Sequence, residues 1–272
     1  MSSAKLSGAR PEILLPRRAA AWLHLPMVGQ QDQQQAAVSA VVPAKDECAT
    51  IAGVICALRA HPRIAEVIVV DDGSTDGTAD CAREAGARVV SLPSNGGKAA
   101  AMEQGVAVAR HDVIFFSDAD LTGLTADKID LVIAPVLAGE YDMFVGIRGR
   151  KTYWTNRLLH FTPILGGERA LRRALWEQVP RAHKKNFQIE IALNYFAKLN
   201  GHRMGFRVVH GIGQVIKERK RGILPGLWAR MLMIRDIIVV SAKLYVFSEA
   251  RLALAQLVGA AEPRRYLSRK RT

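Results

Sequence analysis

Ser117-Asp118-Ala119-Asp120 places two carboxylates two residues apart, directly after the apolar run Val113-Ile114-Phe115-Phe116. Residues i and i+2 of an extended segment point the same way, so both acids can address one ion. Hard oxygen donors of this kind suit Mg2+ or Mn2+, with substrate phosphates completing the coordination. A pair of capping or turn aspartates is the plainer alternative. The position where a buried strand emerges favours the metal.

Two further sets carry polar chemistry. In Val69-Val70-Asp71-Asp72-Gly73-Ser74-Thr75-Asp76 a β-branched run ends in adjacent carboxylates, followed by a glycine turn. Asp76 reads equally well as a helix N-cap or as a ligand. Asp71 and Asp72 repel each other unless donors such as a nucleobase or ribose engage them. In Asn95-Gly96-Gly97-Lys98 the glycines let backbone approach a ligand, and Lys98 opens a helix whose N-terminus favours phosphate. Walker spacing is absent, and the first strand is followed by Pro43-Ala44-Lys45-Asp46-Glu47, without the glycines of a dinucleotide site.

The elements that must position these groups alternate strand and helix. The pattern predicts strands at Val38–Val42 (halted by Pro43), Val67–Val70, Arg88–Ser91 and Val113–Phe116. Helices are expected over Glu47–Arg59, Asp76–Ala85, Lys98–Ala109 and Lys128–Leu137. Short apolar strands alternating with such helices imply an α/β fold, a mostly parallel central sheet with helices on both faces. In such sheets ligands bind beyond the carboxyl ends of the strands. The segments from Pro43, Asp71, Ser91 and Ser117 should therefore converge on one crevice. Beyond residue 145 the pattern predicts a loop-rich stretch at 146–166, helices near 168–177 and 187–199, a strand at 205–209 and an amphipathic helical region near 225–258. Residues 1–37, with Gln30-Gln31-Asp32-Gln33-Gln34-Gln35, read as a poorly ordered leader.

Among 272 residues the net charge is +13, which calls for an anionic partner. The charge is divided: residues 38–147 hold 8 Lys/Arg against 16 Asp/Glu, and 148–230 hold 18 Lys/Arg against 4 Glu. A uniform nucleic-acid binder would not need that division, so nucleic acid is a disfavoured partner. Cys48, Cys56 and Cys81 are too few and too irregular for a disulfide framework or zinc site. They read as small buried hydrophobes, which implies a reducing, cytoplasmic setting. The most apolar stretch, Ile237–Phe247, is interrupted by Lys243 and too short to span a bilayer.

The ordered set Val41-Val42-Pro43-Ala44-Lys45-Asp46-Glu47, Val70-Asp71-Asp72-Gly73-Ser74-Thr75-Asp76, Asn95-Gly96-Gly97-Lys98 and Ser117-Asp118-Ala119-Asp120 resembles the family 2 glycosyltransferases of GT-A fold. Within that family it is similar to dolichyl-phosphate mannose synthase-like and glucosyl-3-phosphoglycerate synthase-like enzymes. The resemblance covers residues 38–220, with a nucleotide half at 38–147 and an acceptor half at 148–220. Residues 221–272 form an amphipathic extension and basic tail. It implies inverting transfer of a sugar from a UDP- or GDP-sugar to an anionic acceptor, a polyprenyl phosphate or a phosphorylated small molecule, with Mg2+ or Mn2+.

By position, the resemblance assigns Pro43, Ala44, Lys45, Glu47 and Asp72 to the nucleoside, and Asn95, Gly97 and Lys98 to the nucleotide-sugar. Asp120 becomes the main metal ligand, Asp118 sits beside it on ribose or metal, and His210 stands where some members place a third ligand. Gly166-Gly167-Glu168-Arg169 looks like the acceptor loop, and Glu190 stands at the general-base position. Arg148, Gly167, Arg169 and Lys217 are the acceptor-binding candidates, with Arg150, Lys151 and Arg157 as further cations. Lys98 is followed by Ala99, where the family usually has glycine, so this loop departs slightly from the pattern. The 225–258 region, with Leu227, Trp228, Met231, Arg230 and Arg235, reads as a peripheral membrane surface, a homodimer face or core packing. A non-catalytic nucleotide-binding protein is the rival class.

Overall fold

The computed structural model describes residues 37–148, 166–184 and 188–214. The elements are β1 (Val38–Ala44), α1 (Cys48–Arg59), β2 (Ile64–Asp71), α2 (Thr78–Glu84), β3 (Arg88–Ser91), α3 (Lys98–Val108), β4 (Val113–Phe116) and β5 (Leu121–Thr122). They continue with α4 (Ala126–Leu137), β6 (Met143–Arg148), β7 (Glu168–Arg172), α5 (Arg173–Gln178), a 3-10 turn (Arg181–His183), α6 (Gln188–Leu199), β8 (Met204–Val209) and β9 (Gly213–Gln214).

Seven strands form one sheet in the order β3-β2-β1-β4-β7-β6-β8. β1, β2, β3 and β4 pair in parallel, as do β6 and β8, whereas β7 is antiparallel to both β4 and β6. Only β7 therefore runs against the rest. Strand alternation sorts the core into two layers. Val38, Ala40 and Val42 of β1 join Phe115 against α1 and α4. Val41, Ile68, Val70 and Phe116 face α3, α5 and α6 on the other side. A sheet covered on both faces needs near-continuous apolar strands, which these are.

The structure departs from the sequence reading in several places. β1 continues through Pro43 to Ala44, because its pairing with β4 ends at Val41 and Pro43, opposite Val70, is paired on one side only. Residues 143–148, partly read as loop, form β6. Residues 168–172, read as the start of a helix, form β7 instead. Their composition suits a helix, but inserting Ala170 and Leu171 between β4 and β6, both fully buried, outweighs local propensity.

The cysteine reading is also corrected. Cys48, the first residue of α1, is disulfide-bonded to Cys81 of α2, with their Cα atoms 5.7 Å apart. Cys56 is exposed rather than buried. Two neighbouring helix starts bring the thiols together across 33 residues of sequence, which spacing could not show. The compositional ground for a reducing setting is thereby removed. No helix among the described residues is long and apolar enough to cross a membrane. Lys217 and the 225–258 region lie outside the described residues, as do Arg150, Lys151 and Arg157.

Candidate active site

Because the parallel strands all end on one side, the loops after β1, β2, β3 and β4 meet there, and a continuous run of contacts joins them. The loop after β1 is laced to the loop after β2. Lys45 Nζ donates to Gly73 O, and Asp46 N to Ser74 Oγ at 2.9 Å. Thr75 N donates to Asp46 Oδ1 at 2.9 Å, and Glu47 N to Thr78 Oγ1 at 2.8 Å. Asp46 takes φ +53°, a left-handed conformation that Asp tolerates when its side chain bonds locally. Asp76 acts as a tie between helix starts: its carboxylate accepts Thr78 N at 3.1 Å and Cys48 N at 3.1 Å. Burial pushes its pKa up, but these hydrogen bonds outweigh it and hold the carboxyl below the usual range.

Asp71 and Asp72 are both buried, and backbone donors relieve their repulsion. Asp71 Oδ1 accepts Ser74 N at 3.1 Å. Asp72 Oδ1 and Oδ2 accept Gly96 N at 2.7 Å and Gly97 N at 2.9 Å. Asn95 Oδ1 also accepts Gly97 N at 3.0 Å. Asp72 thus shapes the glycine loop that leads into α3, and Gly97 takes φ +85°, which glycine alone adopts readily. Pro43 is partly exposed and Ala44 buried at the rim of the same cleft.

The acidic and basic halves meet in an alternating chain of charge. Lys98 Nζ lies 3.0 Å from Asp118 Oδ1 and 2.9 Å from Glu190 Oε1. Arg148 Nη2 lies 2.9 Å from Asp118 Oδ2, and its Nε lies 3.2 Å from Glu168 Oε2. Burial alone would lower the Lys98 pKa, but Asp118 and then Glu190 hold it well above the ordinary lysine range. Glu168 is pushed up to about 7, by burial first and then by Asp118, with Arg148 opposing.

The reversal of β7 explains why Gly167 and Glu168 belong here: its first residues, not its last, lie at the crevice. Pairing sets Arg169 opposite Phe116, one residue before the Ser117–Asp120 turn. A Cβ added to Gly167 would stand 2.2 Å from Asp118 Oδ2, so only glycine permits this approach.

Arg169 occupies a different place from the one expected of an acceptor contact. It is 1% exposed, on the face of β7 that packs against α6. Its Nη1 lies 3.5 Å from the Glu190 carbonyl and 3.4 Å from Asn194 Oδ1. It braces the helix that carries Glu190. Among the described residues, the buried side-chain polar atoms lacking a hydrogen bond are Arg148 Nη1, Glu168 Oε1 and Oε2, and Arg169 Nη2. An atom of this kind with no partner costs about 1–3 kcal/mol, whereas Glu168 Oε2 keeps its ion pair with Arg148.

Asp120 is 4% exposed and accepts a hydrogen bond from Gln214 Nε2 at 2.7 Å. Among the described residues, no Lys, Arg or His lies within ion-pair distance of it. A buried carboxylate held by an amide, with the charge of Arg148 felt only at longer range, fits a divalent cation. Asp118, by contrast, is fully engaged by two cations. His210 is exposed, and no three His, Cys, Asp or Glu among the described residues gather as a metal site. Asp118, Asp120 and His210 are thus not gathered into one group among the described residues. Gln214, which is not among the candidate site residues read from the sequence, is the residue that reaches Asp120. It does so because β9 pairs with β5, setting Gln214 opposite Leu121. Rotating its amide would present Oε1, a suitable oxygen donor.

Comparison with known proteins agrees with this geometry. The model for "Glycosyl transferase family 2" matches residues 39–198, more than half of the chain. Glucosyl-3-phosphoglycerate synthase of Mycolicibacterium paratuberculosis is 37% identical over 112 residues, 38% of this chain and 34% of that protein. The succinoglycan biosynthesis protein ExoU of Rhizobium meliloti is 39% identical over 88 residues, 30% of this chain and 26% of that protein. The chain thus spans about a third of the length of the curated relatives it matches.

Crystal structures of the Mycobacterium tuberculosis glucosyl-3-phosphoglycerate synthase align more fully. The complex with Mn2+, UDP and phosphoglyceric acid gives a TM-score of 0.65 at 26% identity, over 78% of this chain and 80% of that one. The complex with Mg2+ and UDP gives 0.64 at 26%, over 78% and 81%. The mostly parallel sheet covered by helices is the GT-A glycosyltransferase fold of these neighbours, and the chain belongs to glycosyl transferase family 2.

Proposed function

We propose that this chain is a metal-dependent glycosyltransferase that moves a sugar from a nucleoside diphosphate donor to an anionic acceptor, with inversion at the sugar carbon. The observation that carries this reading is Lys98, which joins a donor-side carboxylate, Asp118, to Glu190 through one ammonium. A diphosphate bound at the start of α3 would then lie on the same side of the sheet as Glu190.

The division of labour follows. The loops at Pro43–Glu47 and Asp71–Asp76 enclose the nucleoside, with Asp72 acting through the glycine loop as well. Asp120 holds Mg2+ or Mn2+, aided by Gln214 and, on exchange of its cations, by Asp118. The cation stabilises the charge on the departing diphosphate. Glu190 takes the acceptor hydroxyl's proton, and Arg148 meets acidic groups of the acceptor. The solved relatives hold UDP with phosphoglyceric acid. That favours a phosphorylated hydroxy acid over a polyprenyl phosphate, and a donor of the uridine class.

The test is an assay of UDP- and GDP-sugars with Mn2+ or Mg2+ against 3-phosphoglycerate and polyprenyl phosphate. Transfer from a UDP-sugar to the small acceptor is expected. Asp120→Ala should abolish turnover and the Mn2+ signal bound to protein in paramagnetic resonance. Full activity in that variant would remove the metal from the reading.

A further inference from the structure

Asp46 is the one non-glycine among the described residues with a positive φ, +53°. An L-residue takes up that conformation at a cost, which aspartate and asparagine meet by bonding locally. The site residues read from the sequence include Pro43, Ala44, Lys45 and Glu47 of the loop after β1 and pass over Asp46. A costly backbone turn in the middle of a binding loop calls for a reason.

Its contacts supply one. The Asp46 amide donates to Ser74 Oγ at 2.9 Å, and Asp46 Oδ1 accepts Thr75 N at 2.9 Å. The other carboxylate oxygen lies 3.8 Å from Lys45 Nζ, and that ammonium donates to Gly73 O. Two adjacent residues of the first loop thus hold Gly73, Ser74 and Thr75 of the second. Beyond the turn, Glu47 is 5% exposed, with its amide on Thr78 Oγ1 at 2.8 Å. The second loop is seated on the third in its turn: a Cβ at Gly73 would stand 3.3 Å from Asn95 N. The Asp46 side chain itself is about one-third exposed and fills no part of the core.

We propose that Asp46 is a positioning residue for the nucleoside of the donor: it clasps the loop after β1 to the loop after β2 and so sets the width of the slot that base and ribose enter. This rests on the assignment of those two loops to the nucleoside made above. The clasp includes neither Asp118 nor Asp120, so its effect is independent of the cation.

Three substitutions separate the backbone turn from the clasp. Asp46→Asn keeps the left-handed turn and a side-chain oxygen for Thr75 N, Asp46→Gly keeps the turn alone, and Asp46→Ala keeps neither. Calorimetry well below the unfolding temperature should show Asp46→Asn binding UDP with Mn2+ within about twofold of the native chain. Asp46→Gly should bind about threefold and Asp46→Ala about tenfold more weakly. UMP without metal should lose the same factors, because the loss arises at the nucleoside. In steady-state assays KM for the UDP-sugar should rise in step, with kcat at saturating donor and KM for the acceptor unchanged. A residue serving stability alone would lower the melting temperature and leave the affinity of the folded chain unmoved. Asp46→Gly carries the comparison by itself if Asp46→Ala does not fold. Native affinity in Asp46→Gly, binding by Asp46→Asn as weak as by Asp46→Gly, or a loss confined to UDP with Mn2+ would overturn the clasp while leaving the transferase reading intact. Absence of UDP binding by the native chain would overturn both.

Discussion

Glu190 and Glu168 are two buried acids on one charged wall, and their surroundings give them different work. Glu190 faces Lys98, and if the acceptor offers a hydroxyl, Glu190→Gln should slow transfer by about 10²-fold or more in steady-state assays. Rates equal to the native chain would place the base elsewhere. Glu168 is pushed up to about 7 from an ordinary 4.5. A carboxyl raised in the folded state keeps its proton where the unfolded chain has lost it. Its contribution to stability is thus complete below the unfolded value and disappears as pH rises toward 7. In chelator, thermal unfolding of the native chain should therefore fall between about pH 5 and pH 8 relative to Glu168→Gln. A gap of about 1 kcal/mol corresponds to roughly 2–4 °C, and parallel profiles would refute the assignment. At this scale the sequence was partly legible. Asp118 and Asp120 announce themselves because their relation is local: two residues after a buried strand. Gln214 does not, since only the pairing of β5 with β9 brings it to Asp120. Glu168 and Arg169 were separable only by strand alternation, and reading that segment as a helix hid which faced the charged cluster.

The parallel half of the sheet was readable element by element, since β-branched runs alternating with helices leave few other arrangements. In the second half α6 and β8 follow the expected helix at 187–199 and strand at 205–209, whereas β6 and β7 take their identities from insertion between β4 and β8 rather than from local pattern. The disulfide belongs to this scale too. Cys48 and Cys81 join the first turn of α1 to α2, alongside the hydrogen bonds from Asp46, Glu47 and Asp76 that lace the two preceding loops. Closing a loop of 33 residues is worth roughly 2–4 kcal/mol. Reduction should lower the melting temperature by roughly 5–10 °C, and the Cys48→Ala/Cys81→Ala double variant should melt at that lower temperature with or without reductant. A native chain indifferent to reductant would show that the bond is not formed in solution.

For the whole molecule, the +13 charge matters less than its distribution. Residues 38–147 hold the strand-end carboxylates Asp71, Asp72, Asp118 and Asp120, while 148–230 hold 18 Lys/Arg against 4 Glu. A nucleic-acid binder would pair a basic face with phosphates throughout and lose affinity steeply with salt. Random oligonucleotide should therefore bind weakly at about physiological ionic strength, as read by fluorescence anisotropy. Tight binding with a steep salt slope would favour the non-catalytic alternative.

The direction of β7 has an implication for how such a chain can be altered. Since β6 leaves the sheet at the crevice and β7 re-enters it there, the segment joining Arg148 to Gly166 starts and finishes at the same rim. The β6–β7 register is set by the paired residues on either side of that segment, so a graft between Arg148 and Gly166 should leave the sheet as it is, and a shift in acceptor preference with unchanged UDP affinity is the outcome we expect of it.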